Sequence, residues 1–154
     1  SIHNKYMVHT TKKQIYNLIS EGKGSFNAVK TLLEENMKEV NFNSVDGNTS
    51  LLGRAAHFGN IELVKLLVEK YNVPVNPLKG EVMSPFERAI HFGHYDVAEY
   101  LHEKGASAKY LSVESKLKFA IYLGADELQI MDAVVRIHEL KNPNLFEVNK
   151  NWKN

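Results

Sequence analysis

The chain contains no cysteine. That absence removes disulfides, thiolate zinc sites and cysteine catalysis together, and it is compatible with a reducing compartment. Long apolar runs are missing as well: no stretch approaches the roughly 18 residues that a membrane-spanning helix needs. The opening residues, Ser1-Ile2-His3-Asn4-Lys5, are not the apolar stretch of a signal peptide. The first residue is Ser rather than Met, as expected of a processed chain or of a piece of a longer one. Charge of one sign is not in excess either. Lys and Arg total 19 against 18 for Asp and Glu, so nothing global points to nucleic acid or an anionic membrane, and no basic stripe stands out. Arginine is scarce, at Arg54, Arg88 and Arg136 alone, while Lys and Asn are plentiful, which fits the codon bias of an AT-rich genome. Catalytic signatures are lacking too: no Gly-rich phosphate loop, nucleophile elbow or His-Glu-x-x-His pattern occurs. The chain reads as a non-enzyme without cofactor.

What is there is a repeat. Arg54-Ala55-Ala56-His57-Phe58-Gly59 returns 34 residues later as Arg88-Ala89-Ile90-His91-Phe92-Gly93. The following stretches also match, Asn60-Ile61-Glu62-Leu63-Val64 against His94-Tyr95-Asp96-Val97-Ala98. Weaker copies flank these two. Gly24 to Leu33 matches Gly59 to Val68 position by position, and Ala120-Ile121-Tyr122-Leu123-Gly124 matches Ala89 to Gly93. The glycines at 24, 59, 93 and 124 are spaced by 35, 34 and 31 residues. A period in this range signals a solenoid whose surface holds another protein. At 154 residues, 44% hydrophobic and 24% charged, the chain is globular and long enough for one domain with a core.

Each unit reads as two short helices. Ser50 or Ser84 can cap the first, because a serine oxygen satisfies a free backbone N–H. Small residues in Ala55-Ala56, Ala89-Ile90 and Ala120-Ile121 let helices approach closely, and Gly59 or Gly93 ends the helix in a tight turn. The second helix carries Ile61, Val64, Leu67 and Val68 as one buried stripe. It ends at Asn72 or Gly105, both tolerant of a left-handed C-cap, and Pro74 forces the extended segment Val73-Pro74-Val75-Asn76.

Here the sequence resembles the ankyrin repeat family. That family's pattern runs Gly-x-Thr-Pro-Leu-His-x-Ala-Ala, then Gly, an apolar second helix and Gly-Ala-Asp-Val-Asn. Ser50 to Ala56 and Ser84 to Ile90 occupy its first part, and Val40-Asn41 and Val75-Asn76 its last. The resemblance implies an all-α solenoid of stacked helix-turn-helix units joined by hairpin loops. It covers about residues 14–135, with an N-terminal cap repeat at about 10–43, repeats at about 44–77 and 78–109, a C-terminal repeat at about 110–140 and a tail at 141–154. Ser replaces the pattern's Thr, and Gly53 or Glu87 stands where its His would cross-link turns, so local hydrogen bonding is expected to be poorer and stability modest. Tyr71 is an extra residue. Lys109 to Ser115 is shorter than Asn76 to Ser84, which predicts a shortened third hairpin. Polar Lys12, Lys13, Gln14 and Asn17 suit an N-terminal cap. Leu128, Ile130, Met131 and Val135 are too apolar for a C-terminal one. Either the tail folds back at Asn142-Pro143-Asn144 and covers them with Leu145, Phe146 and Trp152, or the stack continues in a longer protein.

The resemblance further implies that a partner lies along the first-helix faces and hairpin tips. By register the positions are Arg54, His57 and Phe58, then Arg88, His91 and Phe92, then Phe119, Tyr122 and Leu123, with Lys79 and Glu81 on a hairpin. Arginines beside aromatics are the raw material of interface hot spots. Arg54 and Arg88 suit a carboxylate or phosphate-bearing partner, or they are simply solvated surface. Phe58 and Phe92 can instead pack against the next repeat. His57, His91 and His94 do not read as metal ligands, because stacked helices lie roughly 8–10 Å apart and ligands must converge at about 2 Å. The leading expectation is a non-catalytic protein–protein interaction module with a protein or peptide partner and no nucleic acid. The alternative is the recruitment domain of a larger protein, such as a bacterial effector or multi-domain enzyme. The expected location is cytoplasmic, or the host-cell cytoplasm for a secreted effector.

Overall fold

Serine oxygens open the central helices as their sequence positions predict. Ser50 Oγ accepts from Gly53 N and Ser84 Oγ from Glu87 N, each at 3.0 Å. These caps, and Pro85 in the first turn after Ser84, start α3 (Leu51–His57) and α5 (Pro85–His91). The left-handed turns at Gly59 (φ 70°) and Gly93 (φ 79°) end both and lead into α4 (Ile61–Glu69) and α6 (Tyr95–Glu103). Asn72 adopts φ 52°, the left-handed cap its residue type allows.

The computed structural model describes residues 2–38 and 40–141, with side chains from Thr11 onward. Upstream of the central pairs come α1 (Ile2–Ile19) and α2 (Phe26–Glu35), joined through a 3₁₀ turn at Lys23–Ser25. Downstream come α7 (Val113–Tyr122) and α8 (Glu127–Lys141). One antiparallel hairpin pairs β1 (Val45–Asp46) with β2 (Thr49–Ser50), placing Val45 opposite Ser50 and Asp46 opposite Thr49. Among the described residues the remaining elements are helices joined by loops, an all-α repeat solenoid. The chain divides into two units, 1–115 and 116–154, the division falling inside α7. The proposed roles of Asn142, Pro143, Asn144, Leu145, Phe146 and Trp152 lie outside the described residues.

In the first unit α3 packs on α5, and each first helix packs on its own second helix. The seam is mainly apolar, with Ile15, Ile19, Leu33, Leu52, Leu63, Leu67, Phe86, Val97 and Leu101 essentially inaccessible, and it also encloses the charged Glu87 and Arg88. The second-helix stripe divides, with Val64 and Leu67 buried and Ile61 and Val68 half-buried. Tyr71, the extra residue, is used: its ring stacks on Phe42 at 4.5 Å between centroids.

The expected weakness at Gly53 and Glu87 does not follow, because other groups supply the bonds. A Cβ on Gly53 would come within 2.8 Å of Glu81 Oε2. The bare glycine therefore admits the Glu81 carboxylate, which accepts from Ser50 Oγ at 2.9 Å and from Leu78 N at 2.9 Å. Glu87 is buried, and its carboxylate accepts from Ser112 N at 3.3 Å, linking the third repeat to the loop that follows. That loop is short, as its length predicts. Ser112 caps α7 by accepting from Ser115 N at 3.1 Å, so α7 gains a turn over α3 and α5.

The second unit is differently built. Asp126 and Gln129 form a reciprocal capping box at the start of α8, each side chain accepting from the other's backbone N–H at 2.8–2.9 Å. No described residue of α8 is buried, and Leu128 is 78% exposed. Among the described residues no helix is long and apolar enough to cross a membrane.

Candidate partner-binding face

The two arginines of the repeated hexapeptide point back along the stack. Arg54 Nε donates to Tyr16 O on α1 at 2.8 Å, and its Nη2 donates to Ser20 Oγ. Its guanidinium also lies over the rings of Tyr16 and Phe58, at 5.6 and 5.5 Å from their centroids. Arg88 does the same one repeat later. Its Nη1 donates to His57 Nδ1 at 3.3 Å and its Nη2 faces Asn48 O at 3.5 Å. Arg54 remains half-buried, whereas Arg88 is only 6% exposed. Both acceptor sets are neutral, and among the described residues Arg88 Nε finds no acceptor. Burial holds the Arg88 guanidinium below its ordinary pKa; Glu81 opposes that shift and Arg54 adds to it.

His57 is the hub. Its ring is stacked between Phe58 and Phe92, at 4.5 and 3.7 Å between centroids. Its carbonyl accepts from His94 Nε2 at 2.9 Å, which fixes the His94 tautomer. His94 can reach because Gly59 has no side chain: a Cβ there would lie 2.4 Å from His94 Nδ1. His91 meets Phe92 edge-on at 4.8 Å. On this face Phe58 is half-buried, while His91 and Phe92 are exposed, Phe92 at 42%. On the hairpin, Lys79 is exposed and Glu81 half-buried against Ser50.

The structure therefore gathers Arg54, His57, Phe58, Arg88, His91 and Phe92 into one patch. Phe119 and Tyr122 belong to the second unit. There Phe119 is buried and Tyr122 exposed, with their rings 6.1 Å apart. Sequence reasoning left out Tyr16 and Ser20, which fix Arg54. The available signal was the period itself, since Ser20 lies 34 residues before Arg54. The Tyr16 phenol is pushed well above its usual pKa by burial first, then by Asp46 and Glu81, and it donates to Thr49 O at 3.2 Å.

The His57 imidazole is held below its ordinary pKa by burial, then by Arg88, Arg54, His94 and His91. A depressed histidine stays neutral in the fold while the unfolded chain takes up a proton. Its contribution to stability is full above the unfolded pKa of about 6.5 and is lost as pH falls from there through the folded value. Urea midpoints measured from neutral to mildly acid pH should fall, and His57→Phe, which keeps a stacking ring, should flatten that fall. An unchanged acid slope in His57→Phe would place the sensitivity elsewhere.

Among the described residues no group of three or more His, Asp or Glu side chains is placed to share a metal ion. What the geometry offers is a rigid, aromatic, basic surface on the first-helix layer of a paired-helix solenoid. Residues 17–111 match the ankyrin repeats family, in 3 copies. The chain belongs to the ankyrin repeat family. Ankyrin repeats are generally protein–protein interaction modules and typically non-catalytic. The chain is also similar to alpha-latrocrustotoxin-Lt1a of Latrodectus tredecimguttatus, 36% identical over 69 residues, which is 42% of this chain and 5% of the toxin. It thus spans a small part of the length of that relative.

Proposed function

We propose that this chain is a non-catalytic binding module that holds a protein or peptide on the α3–α5 face through Arg54, His57, Phe58, Arg88, His91 and Phe92, with Lys79 and Glu81 at its hairpin edge. The observation that carries the reading is the exposed Phe92 ring stacked on the half-buried His57, which the buried Arg88 holds from behind. An aromatic that is half open yet fixed from beneath loses little freedom on binding, which is what an interface anchor needs. On the second unit, taken by itself, the exposed Tyr122 is proposed as a separate partner contact, with the buried Phe119 packed beside it rather than touching the partner. A near-neutral chain with no basic stripe disfavours nucleic acid. The match to a short stretch of a much longer toxin favours a second reading, in which the repeats recruit a partner for a larger protein.

The test is capture of a partner by photocrosslinking from a benzophenone amino acid at position 92, compared with the same label at Glu62 or Glu103. Discrete crosslinks from 92 and none from the second-helix positions are expected. The double variant His91→Ala, Phe92→Ala should then lose at least about tenfold in affinity, as exposed anchors of roughly 1–2 kcal/mol do. Equal crosslinking from both faces, with unchanged affinity in the folded double variant, would sink the reading.

A further inference from the structure

Among the described residues no carboxylate lies at ion-pair distance from either arginine on this face. Arg54 and Arg88 hydrogen-bond only to carbonyl, hydroxyl and imidazole acceptors. Neither joins an ion pair: the described residues give carboxylate partners to Lys70 and Arg136 instead. A third cation, Lys12, lies over the Tyr16 ring at 5.7 Å from its centroid and donates to Ser44 Oγ, again a neutral acceptor. The acids nearby are Asp46 and Glu81. They act on Tyr16 and, for Glu81, on Arg88 from a distance, and the Glu81 oxygens are already taken by Ser50 and Leu78. His57, His91 and His94 add no negative charge. A buried guanidinium without a counterion is costly, and Arg88 keeps its Nε unpartnered while almost fully enclosed. Folds retain such a charge readily when something else supplies the opposite one.

We infer that this face takes a carboxylate side chain of its protein partner, received by Arg54 over the Arg88–His57 pair, with an aromatic neighbour in the partner lying on Phe92. The inference rests on the binding face proposed above and names its ligand chemistry. Arg54 has the means to do it: Nε is fixed on Tyr16 O of α1 and Nη2 on Ser20 just beyond it, and among the described residues Nη1 has no acceptor, so a donor is already oriented. Pre-set donors of this kind bind a carboxylate with little ordering cost. Phe92 and the stacked His57 form the apolar shelf beside it. A carboxylate adds one negative charge to a neighbourhood that already feels the Asp46 and Glu81 carboxylates, and a phosphate would add a second.

The experiment is an NMR titration of the whole chain, following backbone amides and arginine Nε–Hε signals. The probes are acetyl-Gly-Phe-Glu-Phe-Gly-amide, its Gln and Lys counterparts, and its phosphoserine counterpart. Expected is a dissociation constant about tenfold lower for the Glu peptide than for Gln, the size of one charge-assisted hydrogen bond, with shifts at Arg54, His57 and Phe92. Added salt should erase the difference between Glu and Gln while leaving Gln binding in place. Arg54→Gln should erase it too. Should that variant fail to fold, the salt series decides. Equal binding of Glu and Gln at this face overturns the carboxylate while the binding face stands. Tighter binding of the phosphoserine peptide than of Glu overturns it in favour of phosphate. Shifts confined to other surfaces, or no binding by any peptide, remove the binding face as well.

Discussion

Gly59→Ala is expected to destabilise the protein by about 3–6 kcal/mol, and Gly93→Ala by only about 1–2. The two glycines hold the same place in successive repeats and nearly the same backbone, φ 70° and φ 79°. An alanine at either site bears the left-handed penalty of about 1–2 kcal/mol. Only at Gly59 does the new Cβ meet something, the His94 ring at 2.4–2.7 Å from three of its atoms. That ring cannot retreat without giving up its bond to His57 O, worth about 1 kcal/mol, on top of roughly 1–3 for overpacking. A Cβ on Gly93 would find nothing within 4 Å. Urea denaturation of both variants checks this, and equal losses would mean that His94 moves aside freely.

Phe86→Ala should cost about 3–5 kcal/mol. The ring is 1% exposed, lies in the α5 layer against α3 and α6, and stacks beside His102 at 5.9 Å. Removing it opens a cavity that two flanking helices cannot both close. Phe86→Leu restores the residue type that Leu52 supplies in the preceding repeat and should cost about 1.5 kcal/mol or less. A loss below about 1 kcal/mol for Phe86→Ala, read from the same urea midpoints, would show that α5 shifts to fill the space.

Much of the architecture was legible because it depends on local chemistry. The serine caps, the glycine turns and the left-handed Asn72 follow from what those residues can do with their own backbone. The buried stripe of the second helices follows from spacing alone. What stayed hidden depends on reach. Nothing in the hexapeptide says which way an arginine side chain lies, and Arg54 and Arg88 both turn toward the preceding repeat rather than outward. The missing histidine at Gly53 read as a lost cross-link, because the replacement, Glu81, arrives from a hairpin 31 residues away from Ser50. The extra turn of α7 was hidden for the opposite reason. A short loop suggested a truncated hairpin measured to Ser115, the counterpart of Ser84, whereas Ser112 is the residue that caps α7.

The backward lean of the arginines makes the stack a one-way joint. Each central repeat carries a plug, its arginine, and the first of them also carries the socket that the next arginine, Arg88, enters. For Arg88 the socket is His57, three residues beyond the preceding plug, and the equivalent of His57 in the next copy is His91. A tandem duplication of the segment from 57 to 90 would therefore copy a plug together with the socket it needs, and the new copy would mate with its parent without any further change. Deleting one whole unit would likewise bring the next plug to an intact socket, whereas a break of any other length would strand a guanidinium inside the seam. Such a joint lets the array grow or shrink by whole repeats and resists every other edit.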